Sequence, residues 1–170
     1  LVFFFLSMTS VPFYFMTAIW GNEEGKEASA YHFLAVSILG NALVFLAVVA
    51  AYYSLETPSF SLIDLAHGAA SRRNVDFMGH SVSLGNVSFL LFLLGIAFRI
   101  PIWPFQGWFS VLLKTASTPL ATVLIGAFIP VVVGMVGKLS FILYPAEMGH
   151  HAQVILVVGV LNVLMGSLLA

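Results

Sequence analysis

The fold is decided by residues 89–104, which read FLLFLLGIAFRIPIWP. An uninterrupted run of apolar or small residues precedes Arg99, and Pro101 and Pro104 follow it. Proline lacks a backbone N–H, and its ring crowds the preceding turn of a helix. We therefore expect an apolar helix that is broken between Arg99 and Pro104, with a cation at the break.

The whole chain has the composition of a membrane protein. Of its 170 residues, 61% are apolar and 8% are charged, and the mean hydropathy is +1.06. A soluble domain carries about 25% charged residues, so this chain cannot cover a soluble surface. A net charge of -1, with six Lys and Arg residues, argues against nucleic acid as a partner. The absence of cysteine excludes disulfides and thiolate sites for zinc or iron–sulfur clusters.

Long stretches without charge predict about five transmembrane helices, because about 20 apolar residues span a bilayer and open strand edges cannot be satisfied in lipid. The predicted spans are approximately Leu1–Trp20, Ala30–Ser54, Asn86–Trp103, Pro119–Tyr144 and His151–Ala170. The predicted fold class is therefore an all-α polytopic membrane protein. Both ends of the chain lie in apolar runs, so we expect residues 1–170 to form a single membrane module that is a fragment or split part of a larger subunit.

One long connection, Glu56–Gly85, separates the second and third predicted spans. Its Thr57-Pro58-Ser59 start and its Arg72-Arg73 pair predict a short surface helix over Ser61–Ala70, followed by a turn. Cationic residues occur on both sides of the predicted spans, so the positive-inside rule assigns no orientation.

Four side chains are candidates for a proton path. Arg99 is expected to be paired or hydrated, because an intramembrane charge costs at least about 2.5–3.5 kcal/mol; the alternative is that it extends from a helix end to the interface. Lys138 fits proton relay and an interfacial position equally well. Lys114 lies in a predicted connector, Phe109–Thr118, and His32 lies near the start of the second span. For these two, an interfacial position is the simpler interpretation.

The other titratable residues are predicted outside the membrane. Solvated loops are expected to contain His67, His80, His150 and His151. The adjacent pair His150-His151 makes a poor metal site, because neighbouring side chains on a helix diverge by about 100°. Every carboxylate falls in a predicted loop or at a helix end, and no nucleotide-binding or hydrolase motif is present. Aromatic residues are expected to face lipid or the interfaces: Phe3-Phe4-Phe5, Phe13-Tyr14-Phe15, Trp103, Phe105 and Trp108.

Several segments resemble the antiporter-like membrane subunits of respiratory complex I. Val2–Gly21, aromatic and closing in Trp-Gly, is similar to their fifth helix. Ala97–Trp108 is similar to their broken seventh helix, which reads Ala-x-Lys-x-Pro-x-x-Pro-x-His-x-Trp. Ala28–Gly40 and Val157–Ala170 are similar to the start of the sixth helix and to the ninth. The resemblance implies a partial antiporter-like fold, about helices five to nine, of the NADH dehydrogenase subunit 4 type.

In that family a Glu on the fifth helix and a Lys on the broken seventh pair inside the membrane, and a Lys on the eighth relays protons. The resemblance places the seventh-helix Lys at Arg99, which keeps the charge, and the fifth-helix Glu at Ser7, which loses it. The eighth-helix Lys falls at about Val132, with Lys138 under two helical turns away, and the usual His is Gln106. Arginine does not release its proton as lysine can. The resemblance therefore implies a proton channel that is degenerate at these positions.

As a function, the resemblance implies a membrane-arm subunit of NADH:quinone oxidoreductase that contributes to proton translocation coupled to electron transfer. Two alternatives remain open: a structural spacer without pumping, and a subunit of a multi-subunit sodium/proton antiporter or membrane hydrogenase. No redox active site or cofactor is expected in this chain, because NADH, FMN, iron–sulfur clusters and quinone would be bound by partner subunits. The expected partners are other membrane-arm subunits, lipid and, indirectly, the hydrophilic redox arm. The expected location is the mitochondrial inner membrane or a bacterial plasma membrane.

Overall fold

The computed structural model describes residues 2–21, 24–54, 74–77 and 80–169. The described part is helical apart from one β-hairpin. In chain order its elements are α1 (Val2–Met8), α2 (Ser10–Trp20), α3 (Lys26–Ser54), β1 (Asn74–Phe77), β2 (His80–Ser83), α4 (Leu84–Arg99), α5 (Gly107–Thr115), α6 (Thr118–Val123), a π-helical segment (Leu124–Phe128), α7 (Ile129–Leu143) and α8 (Pro145–Leu169).

Helices occupy all five predicted spans. The first span is interrupted at Thr9, between α1 and α2, and the fourth contains α6, the π-helical segment and α7. Three continuous helical stretches are long and apolar enough to cross a membrane: Lys26–Ser54, Thr118–Leu143 and Glu147–Leu168. The apolar α4 is shorter, with 16 residues. The prediction of an all-α polytopic membrane fold is confirmed, with the hairpin as a small addition.

The helix break lies where the prolines predict it. α4 ends at Arg99, residues 100–106 are not helical, and α5 begins at Gly107. The predicted connector Phe109–Thr118 is wrong, because most of it is helical and Lys114 lies in the last turn of α5. One face of α5 is buried, which supplies the apolar contact that a short helix needs.

The predicted loop positions of three histidines are also wrong. His80 begins β2, which pairs with β1 in an antiparallel register that sets Phe77 opposite His80. His150 and His151 lie in α8, because this helix begins earlier than predicted, at Pro145. Proline is favoured at the first helical position, where no backbone N–H bond is needed. The predicted helix over Ser61–Ala70, with His67, Arg72 and Arg73, lies outside the described residues.

The chain divides into two compact units. The first comprises Leu1–Ala42 and Gly95–Gly134. Its buried core consists of Phe33, Trp108, Leu112 and Leu124. The rings of Phe33 and Trp108 lie 5.5 Å apart, a distance typical of favourable aromatic pairs. The expectation that Trp108 faces lipid is therefore wrong, since this side chain packs inside the unit.

The second unit comprises Leu43–Leu94 and Met135–Ala170. Ser88, which is fully buried, donates a hydrogen bond of 2.8 Å to the carbonyl oxygen of Ala47 in α3. The hydroxyl oxygens of Ser88 and Tyr144 lie 2.5 Å apart. Ser88 has one proton and a carbonyl only accepts, so Tyr144 donates to Ser88. These two bonds join α3, α4 and the junction between α7 and α8.

Many hydroxyl groups bond to a carbonyl of their own helix. In each of four cases the acceptor is the carbonyl oxygen four residues earlier. These bonds are Ser7 to Phe3 at 2.9 Å, Thr17 to Phe13 at 2.8 Å, Ser29 to Gly25 at 3.1 Å and Thr122 to Thr118 at 2.9 Å. Bonding of this kind satisfies a hydroxyl in apolar surroundings without a partner on another helix.

Candidate functional site

The candidate site is built around Arg99, at the end of α4 in the first unit. Arg99 is enclosed by protein, with 4% of its surface exposed. Within this unit, the Arg99 side chain therefore does not extend outward from the helix end, as the alternative interpretation expected. A buried guanidinium needs acceptors with suitable geometry, because removing a charge from water is costly.

Neutral oxygen atoms on two other elements accept hydrogen bonds from Arg99. Its Nη1 donates to Oδ1 of Asn41 on α3. Its Nη2 donates to Oγ1 of Thr9 at 3.4 Å, and Thr9 lies at the interruption between α1 and α2. The forked, planar guanidinium suits this arrangement, since its donors point in different directions.

The π-helical segment contributes an aromatic ring to the same site. The centroid of the Phe128 ring lies 5.9 Å from Cζ of Arg99, within the range of a cation–π interaction. Phe13 of α2 packs on Phe128 with a ring distance of 4.8 Å. π-helical turns are rare and occur frequently at functional sites. The site therefore combines three interruptions of regular helix: Thr9, the end of α4 and the π-helical segment.

Close packing of α3 and α4 allows Arg99 to reach Asn41. A Cβ atom on Gly40 would lie 2.8 Å from the carbonyl oxygen of Gly95 and 3.2 Å from Cγ of Arg99. Only a glycine fits here without movement of the neighbouring backbone. The sequence Gly40-Asn41 thus places a small residue and an acceptor beside the helix break.

The other three proton-path candidates have exposed side chains. Lys114 lies in the last turn of α5, His32 in α3 and Lys138 in α7. Both the interfacial interpretation and their participation in a proton path stay predictions. Pro101 and Pro104 lie in the non-helical residues after α4, and the peptide bond before Pro104 is cis.

The positions that the resemblance assigns to the family's acid and second lysine have no charged side chain. Ser7 lies in α1 and bonds to its own helix, as described above. Val132 of α7 is buried. Lys138, on the same helix, is exposed.

Sequence reasoning missed Asn41 and Thr9. Asn41 is the amide side chain in an otherwise apolar part of α3, and this is the signal that could have indicated a site. Thr9 carries a weaker signal, since hydroxyl residues are common in membrane helices and usually bond to their own backbone.

A separate group of polar residues lies in the second unit. Glu147, in the first turn of α8, is buried, and the ring of His151 stacks on Phe89 at a centroid distance of 5.7 Å. Nε2 of His151 is also buried, and it has no hydrogen-bond partner within the described part of the chain. His151 is half-buried, so the expected solvation holds for part of its ring and not for Nε2.

The fold and the site define a polytopic helical membrane protein with a buried cation at a helix break. Residues 1–170 match the family described as "NADH:quinone oxidoreductase/Mrp antiporter, TM", and the chain belongs to this family. The resemblance read from the aromatic first span and the broken helix is confirmed. The family and the apolar helices together place the protein in a membrane.

Named relatives match nearly the whole chain. It is 24% identical over 168 residues to "NAD(P)H-quinone oxidoreductase chain 4" of Gloeobacter violaceus, covering 99% of this chain and 30% of the relative. It is 25% identical over 175 residues to "NADH-quinone oxidoreductase subunit M" of Mycobacterium tuberculosis, covering 100% of this chain and 31% of the relative. It is 23% identical over 160 residues to "NADH-ubiquinone oxidoreductase chain 4" of Metridium senile, covering 93% of this chain and 30% of the relative. The chain thus spans about three tenths of the length of these relatives.

Proposed function

We propose that this chain is part of a membrane-arm subunit of an NADH:quinone oxidoreductase and contributes to proton translocation coupled to electron transfer. The observation that carries the proposal is the buried Arg99 at the break of α4, at the position where the resemblance puts the family's lysine. The names of the relatives, all of them quinone oxidoreductase chains, support the enzyme class. Under this proposal, NADH, FMN, iron–sulfur clusters and quinone are bound by partner subunits.

Arg99 acts in this proposal through its charge. A guanidinium stays protonated in proteins, so it neither accepts nor releases the translocated proton. A proton carried 8 Å away would be repelled by about 2 kcal/mol at an effective dielectric constant of about 20. Arg99 therefore lowers the proton affinity of any titratable group or water near the helix break. Asn41 and Thr9 hold the guanidinium by hydrogen bonds and leave its charge unneutralised by either of them.

The test is a comparison of Arg99→Leu and Arg99→Lys in the full-length subunit within its assembled complex. The number of protons translocated per NADH oxidised is measured in sealed vesicles. Arg99→Leu is expected to lower this ratio, and Arg99→Lys to retain most of it, because lysine keeps the charge. Ser167→Ala, at an exposed position on α8, is the control. An unchanged ratio in Arg99→Leu would contradict the proposal.

A structural spacer is the second candidate, and one observation favours it. The position of the family's acid is Ser7, whose hydroxyl bonds to its own helix. A spacer predicts that Arg99→Leu leaves the proton ratio unchanged, while removal of the subunit prevents assembly of the membrane arm. The family description also includes Mrp antiporters. Copurification of hydrophilic redox proteins with the full-length subunit would indicate an oxidoreductase, and their absence from the purified assembly would favour an antiporter.

A further inference from the structure

The surface of α3 that meets the end of α4 has two adjacent residues of different character. Gly40 is buried and leaves no room for a side chain, since a Cβ there would approach Gly95, Phe98 and Arg99 within 3.2 Å. Asn41, the next residue, accepts a hydrogen bond from Arg99 Nη1. One residue therefore limits where the aliphatic stem of Arg99 can lie, and the other holds its guanidinium.

An arginine side chain has many rotamers, and holding it in one of them costs conformational entropy. A charge-assisted hydrogen bond is about twice as strong as a neutral one, and contact at Cγ removes alternative positions of the stem. The bond to Thr9 is longer, at 3.4 Å, and lies at the edge of hydrogen-bond geometry. Asn41 is thus the stronger of these two acceptors.

From this geometry we infer that Gly40 and Asn41 are positioning residues, which together set the place of the Arg99 guanidinium beside the helix break. The inference rests on the proposed function for its relevance to proton translocation. The position itself can be measured without any assay of transport. If Asn41 is the determining acceptor, its loss lets the guanidinium leave α3. If Gly40 sets the distance between the helices, a methyl group there displaces the last turn of α4.

The experiment is electron cryo-microscopy of the assembled complex that contains the full-length subunit. Asn41→Leu replaces the amide with an apolar side chain of similar size and is expected to move the guanidinium density away from α3. Asn41→Asp keeps an oxygen at the same place and is expected to retain the original density. Gly40→Ala is expected to shift the end of α4. The matched control is Gly159→Ala in α8, where a Cβ meets nothing within 4 Å.

An unmoved guanidinium in Asn41→Leu overturns the role of Asn41, and an unmoved α4 in Gly40→Ala overturns that of Gly40. If Asn41→Leu does not assemble, Asn41→Ala removes the same oxygen without adding bulk, and its density decides in the same way. The proposed function is tested separately by the proton ratio of Arg99→Leu. A displaced guanidinium in Asn41→Leu, together with an unchanged proton ratio in Arg99→Leu, would support the positioning role and contradict the proposed function.

Discussion

At the residue scale, many polar side chains in the described part of this protein bond either to their own helix or to another helix. Arg99 belongs to the second group, with acceptors on Asn41 and Thr9. Ser88 also belongs to it and links Ala47 with Tyr144. Interhelical bonds in membranes contribute modestly, about 0.6 kcal/mol on average and up to about 1.7 kcal/mol. Lys26 of α3 also donates to the carbonyl oxygen of Ile19 in α2 at 3.1 Å, so polar bonds between helices occur in the described parts of both units.

Removal of the Tyr144 hydroxyl tests the connection in the second unit. Tyr144→Phe is expected to lower the free energy of unfolding by about 0.5–1.5 kcal/mol, because one buried hydrogen bond is lost and the ring packing is kept. Ser88→Ala is expected to cost more, since Ser88 takes part in both bonds. The midpoints of thermal denaturation of the purified full-length assembly rank the variants by stability. The control is Tyr53→Phe, at an exposed position of α3. Equal midpoints for Tyr144→Phe and Tyr53→Phe would show that the bond contributes nothing.

Arg99 could be predicted as a paired cation at the helix break, whereas its acceptors could not. A charge inside an apolar run is visible in the sequence, and the following prolines locate the break. Asn41 becomes an acceptor only because Gly40 brings α3 against α4, and the contact depends on which helices pack together. The stacking of His151 on Phe89 was missed for the same reason, since this contact joins distant parts of the chain.

At the element scale, hydropathy predicts the spans well and their interruptions poorly. Proline predicts the break after α4, because it removes a backbone donor. Pro12 follows the interruption at Thr9 and Pro130 follows the π-helical segment, so the sequence carries the same kind of signal for both. The hairpin also carries a signal, because polar and apolar residues alternate in Asn74–Phe77 and in Ser81–Ser83. The prediction of a loop there overlooked this alternation.

Deletion of one residue tests the π-helical segment. A π-helical turn acts as one extra residue within an α-helix. Deletion of Gly126 is therefore expected to convert the segment to regular helix and to leave the faces of α7 in register. Deletion of Gly137 in α7 is expected to rotate the residues that follow it by about 100° and to displace Tyr144. The amount of full-length subunit assembled into the complex measures both effects.

Gly126 and Gly137 form a matched pair, because a Cβ at either position would meet nothing within 4 Å. Their deletions therefore differ mainly in helical register. Equal assembly of the two deletion variants would mean that the π-helical segment does not absorb a residue.

At the scale of the whole molecule, the order of the apolar helices predicts which turns share a side of the membrane. Their length and composition lead us to expect that α3 crosses once, the broken helix returns, the stretch Thr118–Leu143 crosses again, and α8 returns. A Cβ on Gly21 would lie 3.0 Å from the carbonyl oxygen of Thr115, so the end of α5 lies beside the turn before α3. We therefore expect the turns at Glu24 and Thr118 on one side, and the hairpin and Pro145 on the other.

Cysteine labelling tests this arrangement, because the chain has no cysteine of its own. Glu24→Cys and Thr118→Cys are expected to react with a membrane-impermeant maleimide from one side of sealed vesicles carrying the full-length subunit. His80→Cys and Pro145→Cys are expected to react from the opposite side. Reaction of Glu24→Cys and Thr118→Cys from opposite sides would show that the broken helix does not complete a crossing.

The back-bonded hydroxyls have a consequence for proton hopping. Protons hop along a file of hydroxyl groups only when each hydroxyl donates a hydrogen bond to the next group while it accepts one from the group before it. The single protons of Ser7, Thr17 and Ser29 point to carbonyls of their own helices, so each hydroxyl must rotate and give up its bond before it can join a file. Each rotation costs about 0.5–1.5 kcal/mol, the net value of one such bond. A count of polar residues along the helices therefore overstates how readily these three hydroxyls could join such a file, because each must first leave its present bond.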